Sequence, residues 1–375
     1  MGLILDNQNN SGNFSLSGTA GLFSAAVAST ALYEFSTFTF TNVNITGSNP
    51  PLLTQFLGAY TGSATWTANS AYFTTASAYR GYQLWTVPQT AVYEIEVAGA
   101  STGRNTQLTG NRFSSGSKMR ARFTLNQNDK LLIVVGQQSG DVNNSGFSAA
   151  GGGGGTFVIP SGSNSSSLVP YIVAGGGGAG GWYNALQSVS SESFGRTTTY
   201  GGSSSFGEGG GVNGLGGKSH VKSLTNLYDG GGGGGFAVGV SGSGMNGIGV
   251  YNGETIASGQ YGGGGKGFWT GSLGGAFSPQ YAPPATSNGG FGGGGGAGPI
   301  CGGGGGGYSG GAGSARPTTP VADGAGGGGS YIRTSATNVA TADGNYETLS
   351  TFSGSAITTI GYHSGSGYVK ITKVA

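Results

Sequence analysis

The stretch "CGGGGGGYSGG", Cys301 to Gly311, sets the tightest limit on how this chain can fold. A glycine run carries no side chain and buries no apolar surface, and glycine loses more backbone freedom on folding than any other residue. Further runs lie at 151–155, 175–178, 209–211, 230–235, 262–265, 292–296 and 326–329, separated by 5 to 30 residues. A lone run of this kind is a flexible linker. Eight at fairly regular spacing point instead to a bundle of polyproline II-type helices, here polyglycine II. Such a helix has three residues per turn and no internal hydrogen bonds, so its N–H and C=O groups face its neighbours. Only glycine fits where these helices crowd together, and Gly232 and Gly304 are the expected lattice positions. A net hydrogen bond contributes only about 1 kcal/mol, so the block needs support. The flanking Tyr171, Trp182, Phe236, Tyr261, Phe291, Tyr308 and Tyr331 are its expected caps.

Disorder is the obvious rival, because 85 of 375 residues are glycine against a usual share of about 7%. Disordered chains lack aromatic residues, whereas this one has 18 Phe, 18 Tyr and 4 Trp in patterned segments. Charged residues make up only 7%, so solubility rests on hydroxyls and amides. A net charge of +2 leaves no basic footprint for nucleic acid. The opening "MGLILDNQNNSG" has no basic n-region or adequate apolar core, so no secretory signal is expected. Asp6 stands where myristoylation requires Ser or Thr. No run reaches the 18 apolar residues of a membrane span, and one cysteine, Cys301, makes no internal disulfide.

The expected fold class is all-β: an antiparallel sandwich of jelly-roll type carrying a large inserted bundle of polyglycine II helices. "FSTFTFTN" (35–42) alternates Phe38 and Phe40 against threonines. "QLWTV" (83–87), "VYEIEVAGA" (92–100), "KMRARFTL" (118–125), "TFVI" (156–159), "PYIVAG" (170–175), "SAITTIGY" (355–362) and "GYVKITKV" (367–374) read as further strands. In 118–125, Lys118, Arg120 and Arg122 are expected to point outward. "KLLIVVG" (130–136) is continuously apolar and reads as a central strand, while "LLTQFLGAY" (52–60) suits a short helix. The expected organisation is an attachment segment over 1–30, the first sandwich strands over 31–181, the glycine insertion with display loops over 182–330, and closing strands over 331–375.

"GYQLWTVPQTAVYEIEVAGA", "KLLIVVGQQSG", "PYIVAGGGGAGG", "CGGGGGGYSGG" and "HSGSGYVKITKV" resemble, in this order, the extracellular glycine-rich domain of the anaplastic lymphoma and leukocyte receptor tyrosine kinases. The resemblance spans about 80–375 and implies a tumour-necrosis-factor-like sandwich interrupted by glycine helices. The chain departs from a receptor in having a single cysteine and no kinase region. The part from "YEFSTFTFTN" through "QLWTVP" resembles structural proteins of marine T4-like phages, and the tip adhesins of long tail fibres likewise stack polyglycine helices under variable loops. These resemblances imply a virion protein, displayed as a tail or head fibre or decoration. Its implied partners are other virion proteins through the N-terminus and a host surface glycan or outer-membrane protein through the loops. Sandwiches of this kind often form trimers, and no heptads support one here. The alternatives are a secreted or cell-surface adhesion or ligand-binding protein and, third, an ice-binding protein.

No catalytic, metal or cofactor site is expected. "GYSGG" satisfies G-x-S-x-G around Ser309, but a nucleophile elbow needs a strand before it and a helix after it. "GLGGKS" (214–219) fails the phosphate-loop pattern at Val212. His220, His363 and Cys301 lie too far apart in sequence for a zinc spacing, and Asp141, Asp229, Asp323 and Asp343 suit solvated turns better than Ca²⁺. The loops carry the functional signal. "WYNALQSVSSESFGRTTTY", "FAVGVSGSGMNGIGVYNGETIASGQY" and "KGFWTGSLGGAFSPQY" mix aromatics with Ser, Asn, Thr and Gly, the chemistry of a paratope. Trp182, Tyr183, Tyr251, Trp269 and Tyr281 are the expected receptor anchors, with capping of the glycine block as their competing role.

Overall fold

The structure is a computed structural model that describes residues 30–104, 113–142, 149–162, 168–183, 186–188, 190–204, 209–219, 229–237, 262–278, 287–315, 324–342 and 363–374. The expected attachment segment, the strand at 355–362, and Tyr251, Tyr261 and Tyr281 lie outside these residues.

The described fold is mostly strands in two antiparallel sheets. The first contains β1 (Thr37–Phe40), β4 (Ala91–Ala98), β5 (Lys118–Leu125), β12 (Thr337–Ala342) and β13 (Tyr368–Val374), in the order β1-β13-β4-β5-β12. The second contains β2 (Phe73–Thr75), β3 (Gln83–Thr86), β6 (Lys130–Val134), β7 (Thr156–Pro160), β8 (Ile172–Ala174) and β11 (Tyr331–Ile332), in the order β11-β8-β7-β6-β3-β2. A separate hairpin pairs β9 (Gly181–Tyr183) with β10 (Leu186–Ser188). Helix is limited, among the described residues, to α1 (Leu53–Tyr60) and 3₁₀ turns at Thr65–Ala68, Ser191–Ser193 and Phe268–Thr270. The α1 start is fixed by the Leu52 N–H donating to Gln55 Oε1 at 2.7 Å, and Phe56 and Tyr60, one turn apart, are its buried face.

Period-two sequence explains the layers. Tyr93, Ile95, Val97, Met119, Ala121, Phe123, Val369 and Ile371 point from the first sheet into a core shared with Trp85, Leu131, Ile133, Val158 and Ile172 of the second. Alternate residues of the second sheet, Val134, Phe157, Ile159 and Val173, are buried on its other face. That sheet is therefore covered on both sides, which explains the unbroken apolar run of β6. The opposite face of the first sheet carries Glu94 registered against Arg122 and Glu96 against Arg120, with an Arg122–Glu94 ion pair at 2.9 Å. Lys118 is on that face too, but it is buried, its ammonium 5.7 Å from the Tyr368 ring centre. The sequence placed it in solvent; cross-strand neighbours cover it instead.

Strands β4, β6 and β8 end, and β5, β7, β11 and β13 begin, on segments rich in glycine and serine. Their pairings are antiparallel, and hydrogen bonds from Ser117 to Gly175, Ala100 to Gly154 and Gly367 to Gly136 join the two sheets there, so these segments leave the sandwich at one end. Beyond it the hydrogen bonding changes. Gly303 and Gly306 donate to Ala150 and Gly153; Gly304 and Gly307 donate to Gly231 and Gly234; Gly305 donates to Gly326. The carbonyls of 302–306 accept from Ser314, Ala179, Gly295, Gly311 and Gly176 in turn. Successive residues thus address different neighbours, and the same neighbour returns after three residues. The period recurs where Gly152 and Gly155 donate to Gly295 and Gly292, and where Gly262, Gly265 and Phe268 donate to Asp229, Gly232 and Gly235.

Candidate functional site

The block of glycine segments meets the sandwich through aromatics that directly follow glycine. Phe236, Phe268 and Phe291 are buried against Val134, Phe157, Ile159 and Val173, with Tyr308 and Tyr331 packed beside them. Tyr308 stacks on Tyr331 at 4.7 Å and on Phe236 at 6.0 Å, and Phe268 sits 5.0 Å from Phe157. Tyr82 is fully buried in this layer, with its hydroxyl donating to the Phe268 carbonyl and meeting Ser272 Oγ at 2.6 Å. Burial pushes its phenol pKa well up, against the smaller opposing effect of the Ser272 hydrogen bond. The hydroxyl therefore stays a donor across the working pH range.

Trp269 belongs to the same layer. It lies edge-on to Phe268 at 4.9 Å and beside Phe236 at 5.7 Å, and its carbonyl accepts from the Tyr79 hydroxyl at 2.6 Å. Its indole Nε1 is enclosed without a hydrogen-bond partner. Trp182 and Tyr183 occupy the β9–β10 hairpin, registered against Gln187 and Leu186. The described anchors, Trp182, Tyr183 and Trp269, are therefore spread over two elements, one of them part of the cap.

Most glycines of these segments leave no room for a side chain, Gly209 being an exception. A Cβ on Gly304 would stand 2.2 Å from the Gly311 carbonyl oxygen, and one on Gly232 would stand 2.2 Å from the Gly217 carbonyl oxygen. Gly292 and Gly293 also need glycine for their backbone, at φ 102° and 87°. Because the N–H and C=O groups of 303–306 bond within the block, they have little left to offer a ligand. Cys301 is buried beside them. Ser309 is buried as well, with its Oγ donating to the Thr199 carbonyl at 2.6 Å and accepting from the Gly214 N–H at 3.0 Å. Asp141 accepts from the Arg104 N–H at 2.8 Å. Among the described residues no group of three or more His, Cys, Asp or Glu could hold a metal, and no helix is long and apolar enough to cross a membrane.

Sequence reasoning missed a cleft of about 730 Å³ at the mouth of the sandwich. Its walls come from β1 and the loop after it, the end of α1, Gln138, and residues 363–368. His363 lines it, half-buried, with Nε2 donating to the Ser366 carbonyl; desolvation lowers its pKa from the usual 6.5. The local signal was slight: a β-branched residue within "NVN", where the chain turns through left-handed backbone.

No protein-family profile matches the chain. A stretch of 102 residues is 36% identical to the leukocyte tyrosine kinase receptor of Mus musculus, covering 27% of this chain and 11% of the receptor. The resemblance is distant and partial, and the chain spans only a small part of that relative's length.

Proposed function

We propose that this chain is a non-catalytic structural protein of a virion, displayed on the particle as a fibre, adhesin or decoration, and that its glycine segments are polyglycine II helices packed as a rigid block. The observation that carries the block is the three-residue hydrogen-bond period around 302–307. A helix with three residues per turn and outward-facing N–H and C=O groups produces that period. The run 302–307 also lacks the positive φ angles of Gly292 and Gly293. Six such residues extend roughly 19 Å.

A block whose polar groups are already used cannot discriminate between ligands, so host recognition falls to the connecting loops, where Trp182 and Tyr183 are anchors. The N-terminal segment joins the particle. The phage-like segment from "YEFSTFTFTN" to "QLWTVP" supports the viral setting. Mass spectrometry of gradient-purified virions from the source of the sequence tests it. Peptides of this chain at structural stoichiometry are expected, and their absence from intact particles overturns the reading. The partial identity to a receptor favours one second reading, a cell-surface ligand-binding module, for which the chain would fractionate with cell envelopes instead.

A further inference from the structure

The cleft at the mouth of the sandwich joins segments far apart in sequence. Asn42 Nδ2 donates to Ser366 Oγ at 2.8 Å and to the Ile45 carbonyl, and the Gln138 N–H donates to the same Ser366 Oγ at 3.0 Å. The Tyr60 hydroxyl, at the end of α1, accepts from the Thr41 N–H at 2.8 Å. The walls are thus fixed before any ligand arrives. Between them the backbone is strained: Val43 has φ 48° and Asn44 φ 62°. A β-branched residue in that region is a true outlier, and such strain persists where the surroundings impose it, often at ligand sites. Its consequence here is that the exposed Asn44 side chain lines the cleft and has no hydrogen-bond partner among the described residues.

The lining chemistry narrows the occupant. Among the described residues the lining of the cleft has no Lys, Arg, Asp or Glu, and the charged groups behind it, Lys118 and Glu96, are engaged with Tyr368. A charged ligand would lose hydration there without gaining a counter-charge. A purely apolar one would leave the amide of Asn44 and the hydroxyls of Thr39 and Thr46 without a partner in the ligand. A ligand with many neutral hydroxyls and one apolar face satisfies both, with the half-buried rings of Phe38 and Tyr368 available to that face. His363 adds an acceptor. Its Nε2 faces the Ser366 carbonyl and so carries the proton, leaving Nδ1 with a lone pair. The volume of about 730 Å³ falls in the usual range of roughly 300–1,000 Å³ for small-molecule sites.

We infer that this cleft is a binding site for neutral saccharides, separate from the loops of the glycine block and independent of the viral reading. Saturation-transfer NMR and titration on the full chain test it, with methyl α-glucopyranoside, methyl α-mannopyranoside, methyl β-galactopyranoside, N-acetylglucosamine and, as the charged comparison, glucuronate. At least one neutral sugar is expected to bind with Kd of about 1 mM, the weak regime of small polar ligands. Asn44→Gly keeps the left-handed backbone and removes the amide, and it should weaken binding about tenfold with an unchanged melting curve. Phe38→Ala should weaken it too, and the glycine variant keeps the test valid if that one misfolds. No transfer from any neutral sugar, equal binding of glucuronate, or undiminished binding in Asn44→Gly overturns the assignment.

Discussion

At Gly304 the space for a methyl group is already filled by the carbonyl oxygen of Gly311, which belongs to backbone and cannot swing aside. Gly304→Ala should therefore destabilise by about 3 kcal/mol, as overpacking does in a tight interior. Gly58 supplies the contrast: it is exposed within α1, and nothing lies within 4 Å of an added Cβ. Gly58→Ala should stabilise by about 0.5–1 kcal/mol through helix propensity. Denaturant melts of both variants check the pair, and equal effects would contradict the packing account. His363 gives a pH signature. Its pKa is lowered in the fold by burial, so the unfolded chain binds the proton more readily. That contribution to stability is complete above about pH 6.5 and is lost as the pH falls towards and through the lowered folded pKa. Urea midpoints should drop from pH 7 to pH 5, and His363→Gln should flatten that drop.

Among the elements, the aromatic layer couples the second sheet to the glycine segments. Phe268 touches Phe157 on the sheet and Tyr82 at 5.0 Å each, and its carbonyl accepts from Tyr82. Phe268→Ala should cost about 3–5 kcal/mol, and Tyr82→Phe about 1–3 kcal/mol for the hydrogen bonds it removes at a buried position. Limited proteolysis should then cut first within the glycine segments while β4 and β5 remain intact; cleavage in the sandwich first would contradict the coupling. Strands such as β1 and β4 were legible in the sequence, because Phe38 and Phe40, or Tyr93, Ile95 and Val97, repeat with period two, whereas the short β2 and β11 and the threonine-rich β12 carry no such apolar repeat and were not expected. Four members of the cap, Phe236, Phe291, Tyr308 and Tyr331, were legible as aromatics beside the glycine runs, whereas Phe268 and Tyr82 were not expected there and Tyr171 packs against Phe123 in the sandwich core instead. The burial of Lys118 was not, because it depends on Tyr368 two strands away. The cleft was invisible for the same reason: Asn42, Gln138 and Ser366 meet only through folding.

At the scale of the whole molecule, two kinds of interior lie end to end. One is apolar and set by side chains; in the other, glycine segments hydrogen-bond to one another through backbone groups, with buried serines such as Ser139 and Ser309 joining in. Which glycine pairs with which cannot be read from the sequence, since identical residues carry no register signal. Removing the N-terminal 30 residues should leave a folded protein that no longer enters particles, checked by thermal melting and particle incorporation; normal incorporation would contradict the attachment role. Trp182→Ala should weaken host adsorption with folding intact, by about 2 kcal/mol for a true hot spot. The central claim is that the glycine segments form a hydrogen-bonded interior as ordered as the sheets. Native-state hydrogen exchange of the amides of 303–307 tests it most directly. The account predicts protection matching that of β4 and β6, whereas exchange at the rate of an unstructured glycine peptide would contradict it.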